Sequence, residues 1–301
     1  MKHPKLLYVA GPTASGKTSL AIALAQHFNT EIISCDSRQF YREMHIGTAV
    51  PSRKEQEQVP HHFVQHLSIH DTYTVGDYTR DVLTLLPKLF SQNEVVILVG
   101  GSGLYADAVL YGLDEFPEVD PAIRPQLTAI YQQEGIEVLQ DLLREHDLRH
   151  YQIVDKQNPH RLIRALEVTL SSGKPYSSFL GKKQPPDFFD SKTVVIDWER
   201  EALYERINTR VNQMVAAGLE KEADELYPHK NLNALQTVGY REWFAHYDGK
   251  FDRATAIEQI KRNSRRYAKR QTTWFRRSTD ALRINGGMAH EKIIEKITAW
   301  I

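Results

Sequence analysis

Residues 11–18 read Gly-Pro-Thr-Ala-Ser-Gly-Lys-Thr, the Gly-x-x-x-x-Gly-Lys-Thr spacing of a loop that wraps phosphate. Glycines at Gly11 and Gly16 let backbone N–H groups close on phosphate oxygens, and a helix opening at the same place adds its positive end. Lys17 would neutralise phosphate charge, and the Thr18 hydroxyl stands where a Mg²⁺ ligand is wanted. Such a loop identifies linked phosphates, not what they are attached to. Asp36, in "IISCDSRQFY", has three readings: a Mg²⁺-holding acid, a general base, or a solvated Asp-Ser turn. It follows the strand after the loop helix, which brings its carboxylate within reach of the phosphate crevice. The stretch "VVILVGGSG" ends without the acid a nucleotide hydrolase would place there, which weakens an ATPase or kinase reading. Arg206 and Arg210 lie four apart on one side of an expected helix. They are either surface ion pairs with neighbours such as Glu205 or a guanidinium clamp on a leaving phosphate group. His61, His62, His66 and His70 include two i, i+4 pairs, but Pro60 precedes them and no carboxylate or cysteine completes a metal set, so packing and surface roles are expected.

These residues need a scaffold that gathers them. Residues 6–10 form a short apolar run ending in Gly-Pro, the pattern of a buried parallel strand. Residues 15–28 have helical spacing, 31–35 and 95–99 are further short strands, and 193–198 is a returning strand. Strands alternating with helices and closed by Gly-rich turns predict a doubly wound α/β fold. Ligands in such sheets collect at the carboxyl ends of strands, so residues 10–18, 36–41 and 100–105 are expected to share one crevice. The middle of the chain changes character, with helices expected over 128–143 and 159–170 and a Lys-, Pro- and Asp-rich loop over 181–190. The expected organisation is a core of residues 1–113 and 193–301 around a mostly helical insertion, 114–192. From residue 201 the pattern is helical nearly to the end.

Composition sets the class. The 301 residues are 41% hydrophobic and 25% charged with a formal net charge of zero, ordinary for a globular protein. A single cysteine, Cys35, excludes a disulfide framework and a cysteine-built zinc site. No apolar run is long enough to span a membrane, and the five residues before the first strand leave no room for a signal peptide. A cytoplasmic monomer is expected. The zero total hides a local field: residues 261–277 carry eight Lys or Arg and no acid, interleaved with Tyr267, Trp274 and Phe275. A solvated helix face usually mixes signs, so this run fits contact with a polyanion, and nucleic acid is favoured.

With these residues in view the chain resembles the tRNA dimethylallyltransferases, also called tRNA isopentenyltransferases. The resemblance rests on "GPTASGKT" (11–18), "DSRQFY" (36–41), "GGSGLY" (100–105), "NPHRLIRALEV" (158–168), "VGYRE" (238–242) and "KRQTTWFR" (269–276), in the family's order over nearly the whole chain. It implies a P-loop-type parallel sheet flanked by helices, with a helical insertion that closes on the anticodon stem. It also implies transfer of a dimethylallyl group from dimethylallyl diphosphate to N6 of adenosine 37 beside the anticodon, with Mg²⁺ as cofactor. By resemblance Asp36 is the general base, and Lys17, Thr18, Ser102 and an arginine assist. Gly11, Pro12, Thr13, Ala14, Ser15, Gly16, Lys17 and Thr18 hold the diphosphate, with Arg206 or Arg210, the alignment favouring Arg210. Ser102 stands where the family usually has Thr, and the hydroxyl is retained. Implied tRNA contacts are Asp36, Ser37, Arg38, Gln39, Ser102 and Arg124; then His160, Arg161, Leu162, Ile163 and Arg164. Gln236, Thr237, Val238, Gly239, Tyr240 and Arg241 follow, with Lys269, Arg270, Gln271, Thr272, Thr273, Trp274, Phe275 and Arg276 near the end. Eukaryotic relatives often add a zinc finger; with one cysteine this chain fits the short bacterial form. Two other readings remain: an enzyme prenylating free adenine nucleotides, which would not need the basic run, and a kinase or ATP-driven RNA-binding module.

Overall fold

The computed structural model describes residues 3–301. The apolar run at the start is strand β1 (Lys5–Ala10), joined in one sheet by β2 (Ile32–Ser34), β3 (His61–His62), β4 (Val95–Gly100), β5 (Asp190–Asp197) and β6 (Leu282–Asn285). The strand order is β3-β2-β4-β1-β5-β6 and every pairing is parallel. Side chains alternate between two cores. Leu6, Tyr8 and Ala10 enter one with Ile33, Leu98 and Val195, while Leu7 and Val9 enter the other with Ile32, Ile97 and Val194. Burial on both faces is why the central strands read as unbroken Val, Ile and Leu rather than as alternation. Each such side chain contributes about 1.5–3 kcal/mol on leaving water. The edge strands lack that signature. β6 deeply buries Ile284 alone, and it lies in a region whose spacing predicts only helix.

The helices are α1 (Lys17–His27), α2 (Arg53–Gln56), α3 (Val75–Phe90) and α4 (Gly103–Tyr111), followed by α5 (Ile123–Glu134), α6 (Ile136–His146), α7 (Leu148–Ile153) and α8 (Pro159–Ser172). After β5 come α9 (Arg200–Ala216), α10 (Leu219–Leu226), α11 (Tyr240–Tyr247), α12 (Arg253–Phe275) and α13 (His290–Trp300). The chain divides into two compact units, Tyr111–Pro185 and the remainder. The smaller unit ends ahead of the expected limit of 192 because Phe189 already packs in the sheet core and Asp190 begins β5.

Within Tyr111–Pro185, α5, α6 and α8 enclose Leu127, Leu139, Leu143, Leu162, Ile163 and Leu166. The helical stretch expected over 128–143 is divided between α5 and α6 at Gly135. Asn158 caps α8 and Pro159 occupies its first turn, the pairing that starts a helix most readily. Buried Glu167 accepts from Arg124 Nε and Nη2 at 3.1 and 2.6 Å, and from Arg164 Nη1 at 3.1 Å. Burial pushes the Glu167 carboxyl up, but those two guanidinium groups outweigh it and hold it below the ordinary glutamate value. At the neck, Asp114 Oδ1 accepts from the backbone N–H of Lys182 and Lys183, and Gly112 lies against the backbone of Gln184. No helix among the described residues is long and apolar enough to cross a membrane.

Candidate active site

The loop after β1 is held open by bonds to its carbonyls. Lys17 Nζ donates to Pro12 O at 2.8 Å, Arg206 Nε to Ala14 O at 2.8 Å and Trp198 Nε1 to Ser15 O at 3.0 Å. Ala14 sits at φ 62°, a left-handed conformation that a non-glycine residue holds only when its surroundings impose it. α1 has no side-chain cap, so its first amides are left for an anion. Ser15 Oγ is buried with no hydrogen-bond partner among the described residues. Burial drives the Lys17 ammonium down to about 8; Asp36 pulls it back up and Arg210 pushes it down again. Burial also lowers Arg210, partly offset by Asp36. Two desolvated cations facing an unpartnered hydroxyl and open amides are stabilised by a polyanion between them.

Asp36 lies just beyond β2. Its Oδ1 accepts from Arg38 N at 3.1 Å, and the next residue is pinned by Ser102 Oγ, which accepts from Ser37 N at 3.2 Å. The three loops expected to converge do so. Asp36, Lys17, Thr18, Gln39, Arg210 and Tyr267 all line one small cavity of about 70 Å³. A larger one, about 330 Å³, shares Thr13, Asp36, Arg210 and Tyr267 with it and adds an apolar wall of Ile207, Val211, Met214, Leu219 and Ile260. A third, about 800 Å³, opens on the outer side of the loop along Gly16, Lys17, Thr18, Arg206 and Arg210. Arg210 borders all three.

This geometry separates the two arginines that sequence spacing leaves equivalent. Arg206 is committed: it bonds Ala14 O and stacks over Trp198, with 4.3 Å from guanidinium carbon to ring centroid. Arg210 is the deeper of the two and has no hydrogen-bond partner among the described residues.

α12 forms the far wall. Arg262, Arg266, Lys269, Arg270, Arg276 and Arg277 are exposed, while Ile260, Ala268, Gln271 and Phe275 form the buried stripe. The exposed part of the basic run therefore lies along one face of α12 and continues just past its end at Phe275. On the inner face Gln271 Oε1 accepts from Thr13 N at 2.8 Å and its Nε2 donates to Gly101 O at 2.9 Å. A methyl group on Gly101 would meet Gln271 Nε2 at 2.2 Å, and one on Gly103 would meet Trp274 Nε1 at 2.2 Å. The two glycines let α12 lie directly on the loop after β4.

Several expected RNA-contact residues are buried or already have partners within the chain. Leu162, Ile163, Tyr240 and Phe275 are buried, with Tyr240 OH bonded to Glu222 at 2.6 Å. Arg124 and Arg164 pair with Glu167. Arg38 Nη1 donates to the carbonyls of Asn233 and Ala234, and Gln39 Nε2 to those of Thr48 and Ala49. Thr272 and Thr273 hydroxyls bond back within α12, and Gln236 Nε2 donates to Lys230 O. Thr237, Val238, Gly239 and Arg241 line the 330 Å³ cavity, and His160 and Arg161 are exposed at the start of α8. Of the histidines, His61 bonds Val59 O, His62 bonds Glu31, His66 packs edge-on to Phe40, and His70 sits edge-on to His229. No motif singles out Trp198 or the apolar wall. The wall does carry a signal, since Ile207, Val211 and Met214 repeat at helical spacing around Arg210.

The site also suits a hard divalent cation. The Thr18 hydroxyl and the Asp36 carboxylate line the same cavity, and no cluster of three or more His, Cys, Asp or Glu among the described residues competes for a metal. The hydroxyl, completed by phosphate oxygens and water, would give Mg²⁺ hard oxygen donors while leaving the carboxylate free to accept a proton.

A family model described as IPP transferase matches residues 39–278. The chain is 53% identical over 275 residues to a tRNA dimethylallyltransferase of Christiangramia forsetii, covering 91% of each protein. It is similar, at 34% identity and a TM-score of 0.73, to the crystal structure of the full-length tRNA isopentenylpyrophosphate transferase of Bacillus halodurans, spanning 99% of this chain and 95% of that one. A eukaryotic dimethylallyltransferase acting on tRNA shares the fold at 23% identity and a TM-score of 0.84, over 99% of this chain and 79% of its own.

Proposed function

The chain belongs to the IPP transferase family, and from that premise we propose that it transfers a dimethylallyl group from dimethylallyl diphosphate to N6 of adenosine 37 in tRNA, as a monomer in the cytoplasm. The observation that carries the chemistry is the single cavity in which Asp36 faces Lys17, Thr18 and Arg210. The exocyclic amine attacks the allylic carbon, the carbon–oxygen bond breaks with its electron pair leaving on diphosphate, and the N6 proton passes to Asp36. Lys17, the open amides of α1 and Arg210 stabilise the departing charge. Thr18 would hold Mg²⁺, which supplies further positive charge to the diphosphate oxygens. The apolar wall of Ile207, Val211, Met214 and Ile260 fits the five-carbon group and excludes water from it. Adenosine 37 must leave its stack to reach Asp36, at a cost of about a few kcal/mol offset by contacts made to it.

Incubating the protein with dimethylallyl diphosphate and unmodified tRNA should add one dimethylallyl mass to the tRNA. Release of phosphate from ATP with no mass gain would overturn the reading in favour of a kinase, and modification of free adenine nucleotide in preference to tRNA would change the acceptor.

The exposed face of α12 is one proposed tRNA surface, and the exposed start of α8, with His160 and Arg161, is another. Alanine at Arg266, Lys269 and Arg276 should weaken tRNA binding. The slope of log K against log salt should become shallower by about 0.7–0.9 for each phosphate that is no longer neutralised. An unchanged slope would place the RNA elsewhere.

Lys17 gives the site a pH signature. Its folded value is depressed, so it regains its proton beside a polyanion. Binding of inorganic diphosphate without added Mg²⁺ should therefore take up protons near pH 8 and weaken as pH rises above that. Calorimetry in buffers of different ionisation heat reads the uptake. Equal affinity on both sides of pH 8 would mean that Lys17 does not contact the anion.

A further inference from the structure

Resting on the transferase reading above, we infer that Gln271 is a positioning residue that sets the diphosphate loop and the Ser102 loop in register with each other, rather than a reader of RNA. Its neighbours along α12 are the exposed basic residues, which is why its place in the sequence suggests an RNA contact. Its side chain points the other way and is buried, 6% exposed. Both ends of its amide are used. The oxygen takes the Thr13 N–H of the phosphate loop, and the nitrogen reaches the carbonyl of Gly101. One planar group thus fixes the separation of two loops that approach from different strands, β1 and β4.

Each tie has a chemical consequence. Thr13 sits beside Pro12, whose carbonyl anchors the Lys17 ammonium, so the first tie sets the cradle around the diphosphate. Gly101 precedes Ser102, which pins Ser37 next to Asp36, so the second tie sets the base. Among the described residues, Gln271 is therefore the side chain bonded to both the leaving-group side and the proton-accepting side. A side chain of equal length without the amide leaves a buried N–H and a buried C=O unpaired, and both loops relax. Gly101 is the other half of the device, because a methyl there would overlap Gln271 Nε2 and push the amide out of its seat.

The test compares Gln271→Met, Gly101→Ala and the double variant, measuring kcat, KM for dimethylallyl diphosphate at saturating tRNA, tRNA dissociation constant and melting temperature. Each single variant should raise KM and lower kcat by about tenfold, because both binding and chemistry depend on the cradle. The tRNA dissociation constant should stay within about twofold, and the double variant should be no worse than the poorer single one, as expected of two parts of one device. Gly101→Ala keeps the glutamine, so the test survives if Gln271→Met folds poorly. Weaker tRNA binding with unchanged KM in Gln271→Met would overturn the inference, as would multiplying defects, or a lower melting temperature with wild-type kinetics. If the wild-type protein itself transfers nothing to tRNA, the transferase reading fails instead.

Discussion

Asp36→Ala should lower kcat by about 10²–10⁴-fold, the usual worth of a positioned general base, while tRNA affinity changes little. The expectation follows from where the carboxylate is held. One oxygen is tied to Arg38 N, and the adjoining Ser37 is anchored to Ser102, so the group cannot swing away from the cavity it shares with Lys17 and Arg210. An adenine amine is a poor nucleophile, and the positive charge it gains on attack has to be discharged to a nearby base. Asp36→Asn keeps the size and the Arg38 bond but cannot accept the proton, so it should fall with the alanine variant. Single-turnover rates near wild type in either variant at neutral pH would remove Asp36 from the role.

Arg210→Ala should cost about 10²–10³ in rate, comparable to removing one preorganised donor from a developing anion. The loss should appear in kcat/KM for dimethylallyl diphosphate, because the guanidinium acts on the group that departs. Arg206→Ala should behave differently. Its guanidinium holds the Ala14 carbonyl and stacks on Trp198, so its loss loosens the loop and raises KM more than it lowers kcat. Equal kinetic effects of the two substitutions would show that both arginines touch the diphosphate, and the reverse order would exchange their roles.

The central sheet and the convergence of three loops are legible in the sequence because a phosphate loop, an Asp after the second strand and a Gly-rich turn after a third each carry a local signature. Their meeting follows from the rule that ligands gather at strand carboxyl ends. Sequence spacing cannot separate Arg206 from Arg210, since i and i+4 share a helix face; the Ala14 carbonyl bond and the Trp198 stack of Arg206 distinguish them. Gln271 misleads for the opposite reason. Chemistry places it in a basic run, whereas its spacing from Ala268 and Phe275 places it on the buried stripe. Leu162 and Ile163 lie inside a motif whose polar members suggest RNA contact, yet they are core residues of α8. Motif membership describes a segment; helical phase decides which side of it faces the ligand. β6 is invisible in the sequence because a short edge strand with one buried residue has almost no pattern to read.

The neck formed by Asp114, Lys182 and Lys183 has a consequence for how such a chain can vary. Carboxylate and amides fasten the departing and returning segments of the insertion side by side. Everything beyond that knot is then, topologically, the contents of a closed loop. Loop-closure entropy grows only with the logarithm of length, so residues added or removed beyond the knot shift it by about a few tenths of a kcal/mol. Evolution can therefore lengthen, trim or redecorate the insertion without renegotiating the sheet, provided the knot is kept.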